Sequence, residues 1–161
     1  MGKKIVVKLN WYEIYMGSNV GVARRLASLK RGDTNKVQNK DFGWHTDIEG
    51  ACAEVAVAKH LNIFWGGSVN TFKLPDVGEF QVKHTQHDNG SLILRKSLDP
   101  NLFYILVTGT HPHYTIHGYI LGADGMIEKN LRNPLKTERG EAHFVPQGIL
   151  KDIDELKDKV R

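Results

Sequence analysis

Residues 102–108 (Leu-Phe-Tyr-Ile-Leu-Val-Thr) form a near-continuous apolar run, set off from the preceding chain by Asp99-Pro100-Asn101. A strand without polar alternation belongs at the centre of a sheet, covered on both faces. The rest of the chain must therefore supply further strands and two covering layers. Strand patterns occur at residues 4–9, 69–74, 79–85, 91–95, 114–121 and 143–145. Asn10-Trp11-Tyr12-Glu13 has the form of a capping box and opens a helix over residues 11–30. Its apolar stripe of Ile14, Val22, Leu26 and Leu29 is weakened by Gly17 and Gly21. Thr46-Asp47-Ile48-Glu49 has the same capping form and opens a second helix, rich in small residues, running to His60. Residues 32–45 and 122–142 read as loops, Asp88-Asn89-Gly90 as a hairpin turn, and residues 152–160 as a short charged helix. The expectation is an α/β fold with a central mixed β-sheet flanked by helices.

A chain of 161 residues is expected to form one domain with a real core. Lys and Arg number 22 against 18 acidic residues, giving a net charge of +4 and a pI near 9.1. That is a mild bias towards polyanionic partners. The single cysteine, Cys52, excludes an intramolecular disulfide and a cysteine-rich zinc site, and points to a cytoplasmic setting. The N-terminus does not read as a secretory signal, and no run of about 18 apolar residues predicts a membrane span.

The chemistry concentrates in residues 74–85 (Leu-Pro-Asp-Val-Gly-Glu-Phe-Gln-Val-Lys-His-Thr). Side chains alternate along a strand, so Glu79, Gln81, Lys83 and Thr85 share one face, and Phe80, Val82 and His84 the other. The second face suits a core. The first sets an amide beside an amine, across a short Gly78-containing turn from Asp76. In the helix opened by Thr46, Glu54 has Ala51, Ala58 and Leu61 as its i−3, i+4 and i+7 neighbours. Its carboxylate therefore projects from a face that should be buried, which is costly unless it is paired or bound to a metal. Glu49 reads as the acid of the capping box. Asp47 lies near the Glu54 azimuth, two turns earlier, and also reads as a cap. Phosphodiester hydrolysis needs a divalent cation held by oxygen ligands and a fixed positive charge to offset the developing negative charge. Asp76, Glu54, the Gln81 amide and the Val82 backbone carbonyl are the candidate ligands. Lys83 is the candidate catalytic cation, with Glu49 and Glu79 as auxiliaries.

These residues resemble the PD-(D/E)XK nuclease superfamily, in which a Glu-bearing helix precedes a hairpin carrying Asp and then Glu/Gln-x-Lys. The matching positions are Glu54, Pro75-Asp76 and Gln81-Val82-Lys83. The likeness covers residues 46–109, between a basic segment 1–45 and C-terminal strands and helix over 110–161, and is similar to small bacteriophage-encoded members. It implies a restriction-endonuclease-like core and an endodeoxyribonuclease dependent on Mg²⁺ or Mn²⁺, leaving 5′-phosphate and 3′-hydroxyl ends. It also implies DNA as partner, a homodimer as a common assembly, and the host cytoplasm as location if the chain is phage-encoded. Gln81 departs from the acidic residue usual at its position and removes one negative charge from the metal site. The competing reading is accordingly a catalytically inactive nucleic-acid-binding protein on the same fold.

The basic residues Arg24, Arg25, Lys30, Arg31, Lys36 and Lys40 read either as solvated charges at a helix C-terminus or as contacts to a DNA backbone. Arg95 and Lys96 are further candidates for such contacts. His111, His113 and His117 match no standard zinc spacing and read as loop and strand histidines. His84 reads as a packing residue, Cys52 as a buried thiol, and Trp11, Trp44 and Trp65 as core anchors.

Overall fold

The computed structural model describes residues 2–32, 42–69, 74–134, 136 and 140–160. The strand expected over residues 69–74 falls largely outside them, and Lys36 and Lys40 fall wholly outside. The elements in chain order begin with β1 (Ile5–Lys8), α1 (Trp11–Lys30) and α2 (Phe42–Leu61). They continue with β2 (Phe80–Thr85), β3 (Leu92–Arg95), β4 (Phe103–Thr110) and β5 (His113–Leu121). A one-turn helix α3 (Gly122–Gly125), β6 (Leu131–Arg132), β7 (Ala142–Val145) and 3₁₀ segments at Glu128–Asn130, Gln147–Ile149 and Ile153–Lys159 complete the described chain.

The central sheet has the order β1-β5-β4-β2 and is mixed: β2 runs parallel to β4, while β4–β5 and β5–β1 are antiparallel. Interior strand β4 is buried through Tyr104, Ile105, Leu106, Val107 and Thr108, as its apolar run requires. On one face, Ile105 and Val107 join Val7, Phe80, Val82 and Ile116 against the small residues of α2. On the other, Tyr104 and Leu106 pack with Leu92, Leu94 and Val145 of a second sheet, ordered β3-β7-β6. The result is a mixed α/β protein whose central sheet lies between helices and a smaller sheet.

The expected hairpin between β2 and β3 does not form. Asp88-Asn89-Gly90 does turn the chain, with the Gly90 N–H donating to the His87 carbonyl at 2.8 Å. The chain then leaves for the second sheet, where β3 pairs with β7. Burial decides this, because Leu92 and Leu94 are fully enclosed there beneath Tyr104 and Leu106.

The helices follow their caps unequally. The Asn10 capping box is present in full: Asn10 Oδ1 accepts from the Glu13 N–H at 3.0 Å, and Glu13 Oε2 accepts from the Asn10 N–H at 2.7 Å. The second box is absent, because α2 already begins at Phe42 and Thr46–Glu49 lie inside it. Neither Asp47 nor Glu49 is therefore a cap. The glycines that weaken the α1 stripe are where α1 meets α2. A Cβ on Gly21 would stand 2.5 Å from Ile48 Cα and 2.8 Å from the Asp47 carbonyl oxygen, and one on Gly17 would stand 2.7 Å from Cys52 Sγ. Gly21→Ala should cost about 2 kcal/mol despite alanine's better helix propensity, because backbone cannot yield as a side chain can. Denaturant unfolding measures this.

Candidate active site

Gly78, with φ of +56°, sits in a tight turn closed by Phe80 N–H to Val77 O at 2.9 Å and Val77 N–H to Phe80 O at 3.1 Å. The Asp76 N–H also donates to the Phe80 carbonyl, at 2.9 Å. This turn folds Asp76 back along β2, where its Oδ2 accepts the Val82 N–H at 2.8 Å. The N–H and C=O of one strand residue point the same way, so the Val82 carbonyl also faces the Asp76 side of β2, away from β4. Gln81 and Lys83 lie on the other face from Phe80 and Val82. The Gln81 amide nitrogen donates to the Leu74 carbonyl at 3.1 Å, which leaves its amide oxygen for another partner. The Lys83 ammonium stands 5.9 Å from the Tyr104 ring centroid. His84 packs as expected, with Nε2 at 2.7 Å from the Gly109 carbonyl and its ring edge-on to Tyr114.

Glu54 is 5% exposed, and α1 supplies its partner. Arg24 Nη1 donates to Glu54 Oε1 at 2.6 Å and Nη2 donates to Oε2 at 2.9 Å, a bidentate pair. Trp65 Nε1 adds a third bond to Oε2, at 3.0 Å, and Arg24 Nε donates to the Ser68 carbonyl at 2.9 Å. Three protein donors thus engage Glu54, with both oxygens bonded. Trp65 is no plain core anchor, and Trp11 is 64% exposed and stacked on Tyr12.

Charge ties these groups together. Burial pushes the Asp76 carboxyl up, opposed by the Val82 N–H, Lys83 and Arg24. Burial also pushes Glu54 up, opposed by Arg24, while the charge of Asp76 adds to the rise. Asp47, two turns before Glu54, is raised by burial and lowered by Arg25 and Arg24. Although burial pulls Arg24 down, its bond to Glu54 holds it above its ordinary value. Arg24 thus acts on Asp47, Glu54 and Asp76 alike, and Lys83 on Asp76. Glu79 is exposed in the turn before β2 and is not among the charges acting on Asp76.

An acid whose folded pKa is raised binds its proton more tightly when folded. Its contribution to stability is present at acid pH and is lost as pH rises through the folded pKa. Relative to Asp76→Asn, the metal-free wild type should lose stability as pH climbs above the ordinary aspartate value of 3.8. The comparison cancels His84 and His117, whose burial-lowered pKa values act in the opposite direction. Thermal melts of both proteins in EDTA across pH check it. A constant difference would contradict the raised pKa of a metal-free Asp76.

Glu49 has a different role from the auxiliary ligand expected. It is 1% exposed, and its Oε2 accepts from the His111 N–H at 3.0 Å and the Tyr114 hydroxyl at 2.5 Å, while Oε1 pairs with His111 Nδ1. Every one of these partners lies at the β4–β5 turn. Among the basic candidates, Arg25 is 4% exposed, and its Nε and Nη1 have no hydrogen-bond partner, so it offers no surface to a DNA backbone. Lys30 and Arg31 are exposed at the end of α1. Lys96 pairs with Glu141 at 2.7 Å. Arg95 and Lys83 line one cleft of about 280 Å³ with Thr85 and Ser91. His117 is buried against Thr108 at 2.7 Å, apart from His111. Cys52 is buried and free.

Mg²⁺ and Mn²⁺ prefer oxygen ligands, whereas the groups acting on Asp76 here are the Val82 N–H, Lys83 and Arg24. Among the described residues, no group of three His, Cys, Asp or Glu side chains is placed to hold a metal ion. Asp76, the Val82 carbonyl and the Gln81 amide would be the oxygen ligands available to such an ion, with Glu54 a fourth if Arg24 left it. Among the described residues, no helix is long and apolar enough to cross a membrane. No family model, curated protein or solved structure matches the chain.

Proposed function

We propose that this chain is a metal-dependent nuclease of the PD-(D/E)XK type, with a restriction-endonuclease-like core, acting on DNA. The observation that carries the reading is the turn that docks Asp76 on the Val82 N–H, beside the Val82 carbonyl and under the field of Lys83. Asp76, Val82 and Gln81 would hold Mg²⁺ or Mn²⁺, with Glu54 joining them on release from Arg24. When bound, such an ion neutralises the phosphate and acidifies an attacking water. Lys83 supplies the fixed positive charge that offsets negative charge developing on the phosphate. Lys83 and Arg95 give the adjoining cleft a cationic lining suited to a phosphate backbone.

A second reading is favoured by the bidentate hold of Arg24 on Glu54. A catalytically inactive nucleic-acid-binding protein on the same fold would keep Arg24 on Glu54 permanently. Incubating the chain with supercoiled plasmid and with single-stranded and branched DNA, in Mg²⁺, Mn²⁺ or EDTA, separates the two. The nuclease reading expects metal-dependent cuts bearing 5′-phosphates. Salt-sensitive DNA binding without cutting on any substrate would favour the inactive protein.

A further inference from the structure

We propose that Arg24 is a positioning residue that couples the arrival of a DNA phosphate to the release of Glu54 for cation binding. The inference rests on the nuclease reading above. Glu54 has both oxygens engaged by the Arg24 fork, at 2.6 and 2.9 Å, and one engaged again by Trp65. Three of its roughly four acceptor sites are thus taken by protein donors. The guanidinium itself acts on Asp76, so it also opposes a divalent cation there.

The two halves of the pair differ in access. The Arg24 side chain is 23% exposed and that of Glu54 6%, so an incoming ligand reaches the guanidinium first. A phosphodiester offers the planar fork the same bidentate geometry as a carboxylate. Arg24 reaches Glu54 from α1 on a long side chain whose Nε also donates to the Ser68 carbonyl at 2.9 Å, so the exchange takes the arginine off both partners. The exchange balances charge: Arg24 trades a carboxylate for a phosphate, and Glu54 trades a guanidinium for a cation. Neither half is then left buried and unpaired, which is the costly alternative. By linkage, DNA must tighten cation binding by the same factor by which the cation tightens DNA binding.

The test is Mn²⁺ binding by the full chain, followed by electron paramagnetic resonance, in wild type, Arg24→Met, Arg24→Lys and Asp76→Asn. A second readout is fluorescence anisotropy of a short labelled duplex with and without Mn²⁺. Without DNA, Arg24→Met should bind Mn²⁺ about tenfold more tightly than wild type, a coupling of ordinary size. Arg24→Lys keeps the charge and loses the fork, so it should fall between them. Asp76→Asn should abolish the site. Wild type should bind the duplex more tightly when Mn²⁺ is added, and Arg24→Met should lose that gain. Equal Mn²⁺ affinity in wild type and both Arg24 variants, abolished by Asp76→Asn, would overturn the coupling and leave the metal site standing. Absence of Asp76-dependent Mn²⁺ binding in every protein would overturn both.

Discussion

Replacing Glu49 by glutamine should remove about 3 kcal/mol of stability and lower the melting temperature by about 10 °C. The carboxylate is fully buried and takes three donors from His111 and Tyr114, residues brought to it by the β4–β5 turn. Glutamine is nearly the same size, so no cavity forms. What changes is that an amide –NH₂ replaces an acceptor, facing a donor that then has no partner. Hydrogen bonds to a charged acceptor contribute more than neutral ones, and a buried donor left unmade costs its full desolvation. The pH dependence gives an independent check. Burial raises the Glu49 pKa, but its bonds to Tyr114 and His111 outweigh that and leave it below the ordinary value of 4.5. A lowered folded pKa contributes stability that is present above the unfolded value and is lost as pH falls through the folded one. The gap between wild type and Glu49→Gln should therefore close on acidification below 4.5. Thermal denaturation of both proteins at neutral and acid pH measures it.

The second large effect falls on activity. Lys83→Ala and Asp76→Asn should each lower metal-dependent cleavage about 10³-fold, the scale on which removing one preorganised electrostatic group slows a reaction. Their signatures should differ. Lys83→Ala should bind Mn²⁺ at least as tightly as wild type, since a positive charge acting on Asp76 is removed, and lose the rate at saturating metal, because Lys83 acts on developing charge. Asp76→Asn should lose the metal first. Asparagine still offers an oxygen to the Val82 N–H, so the turn around Gly78 should persist and both variants should melt close to wild type. Rates measured across a Mn²⁺ titration separate the two roles. An Asp76→Asn enzyme that cuts at wild-type rate would place the chemistry elsewhere.

Much of this architecture is legible in the residues. The apolar run that became β4 specifies a strand covered on both faces, and alternation in β2 assigns Phe80, Val82 and His84 to the core. The Asn10–Glu13 box opens α1 as its side chains demand. Glu54 stands out because its helical neighbours are apolar. What stays hidden is set by partners distant in sequence. The start of α2 at Phe42 is masked by a capping motif that local pattern favours at Thr46, and tertiary packing on α1 overrides it. The parallel pairing of β2 with β4 cannot be read from either strand alone. Glu49 lies 62 residues from His111 and 65 from Tyr114, so nothing local separates its tie to the β4–β5 turn from an ordinary cap. One signal for the Arg24–Glu54 pair was available. Gly17, Gly21, Arg24 and Arg25 recur at helical spacing, so two arginines follow the glycines onto the stripe where α1 meets α2 and its carboxylates.

Crystals of the chain grown in saturating Mn²⁺ and measured at an anomalous wavelength test the central claim most directly. A manganese peak held by Asp76 and the Val82 carbonyl oxygen is the expected result. Density showing Asp76 on the Val82 N–H with no ion beside it would contradict the metal site.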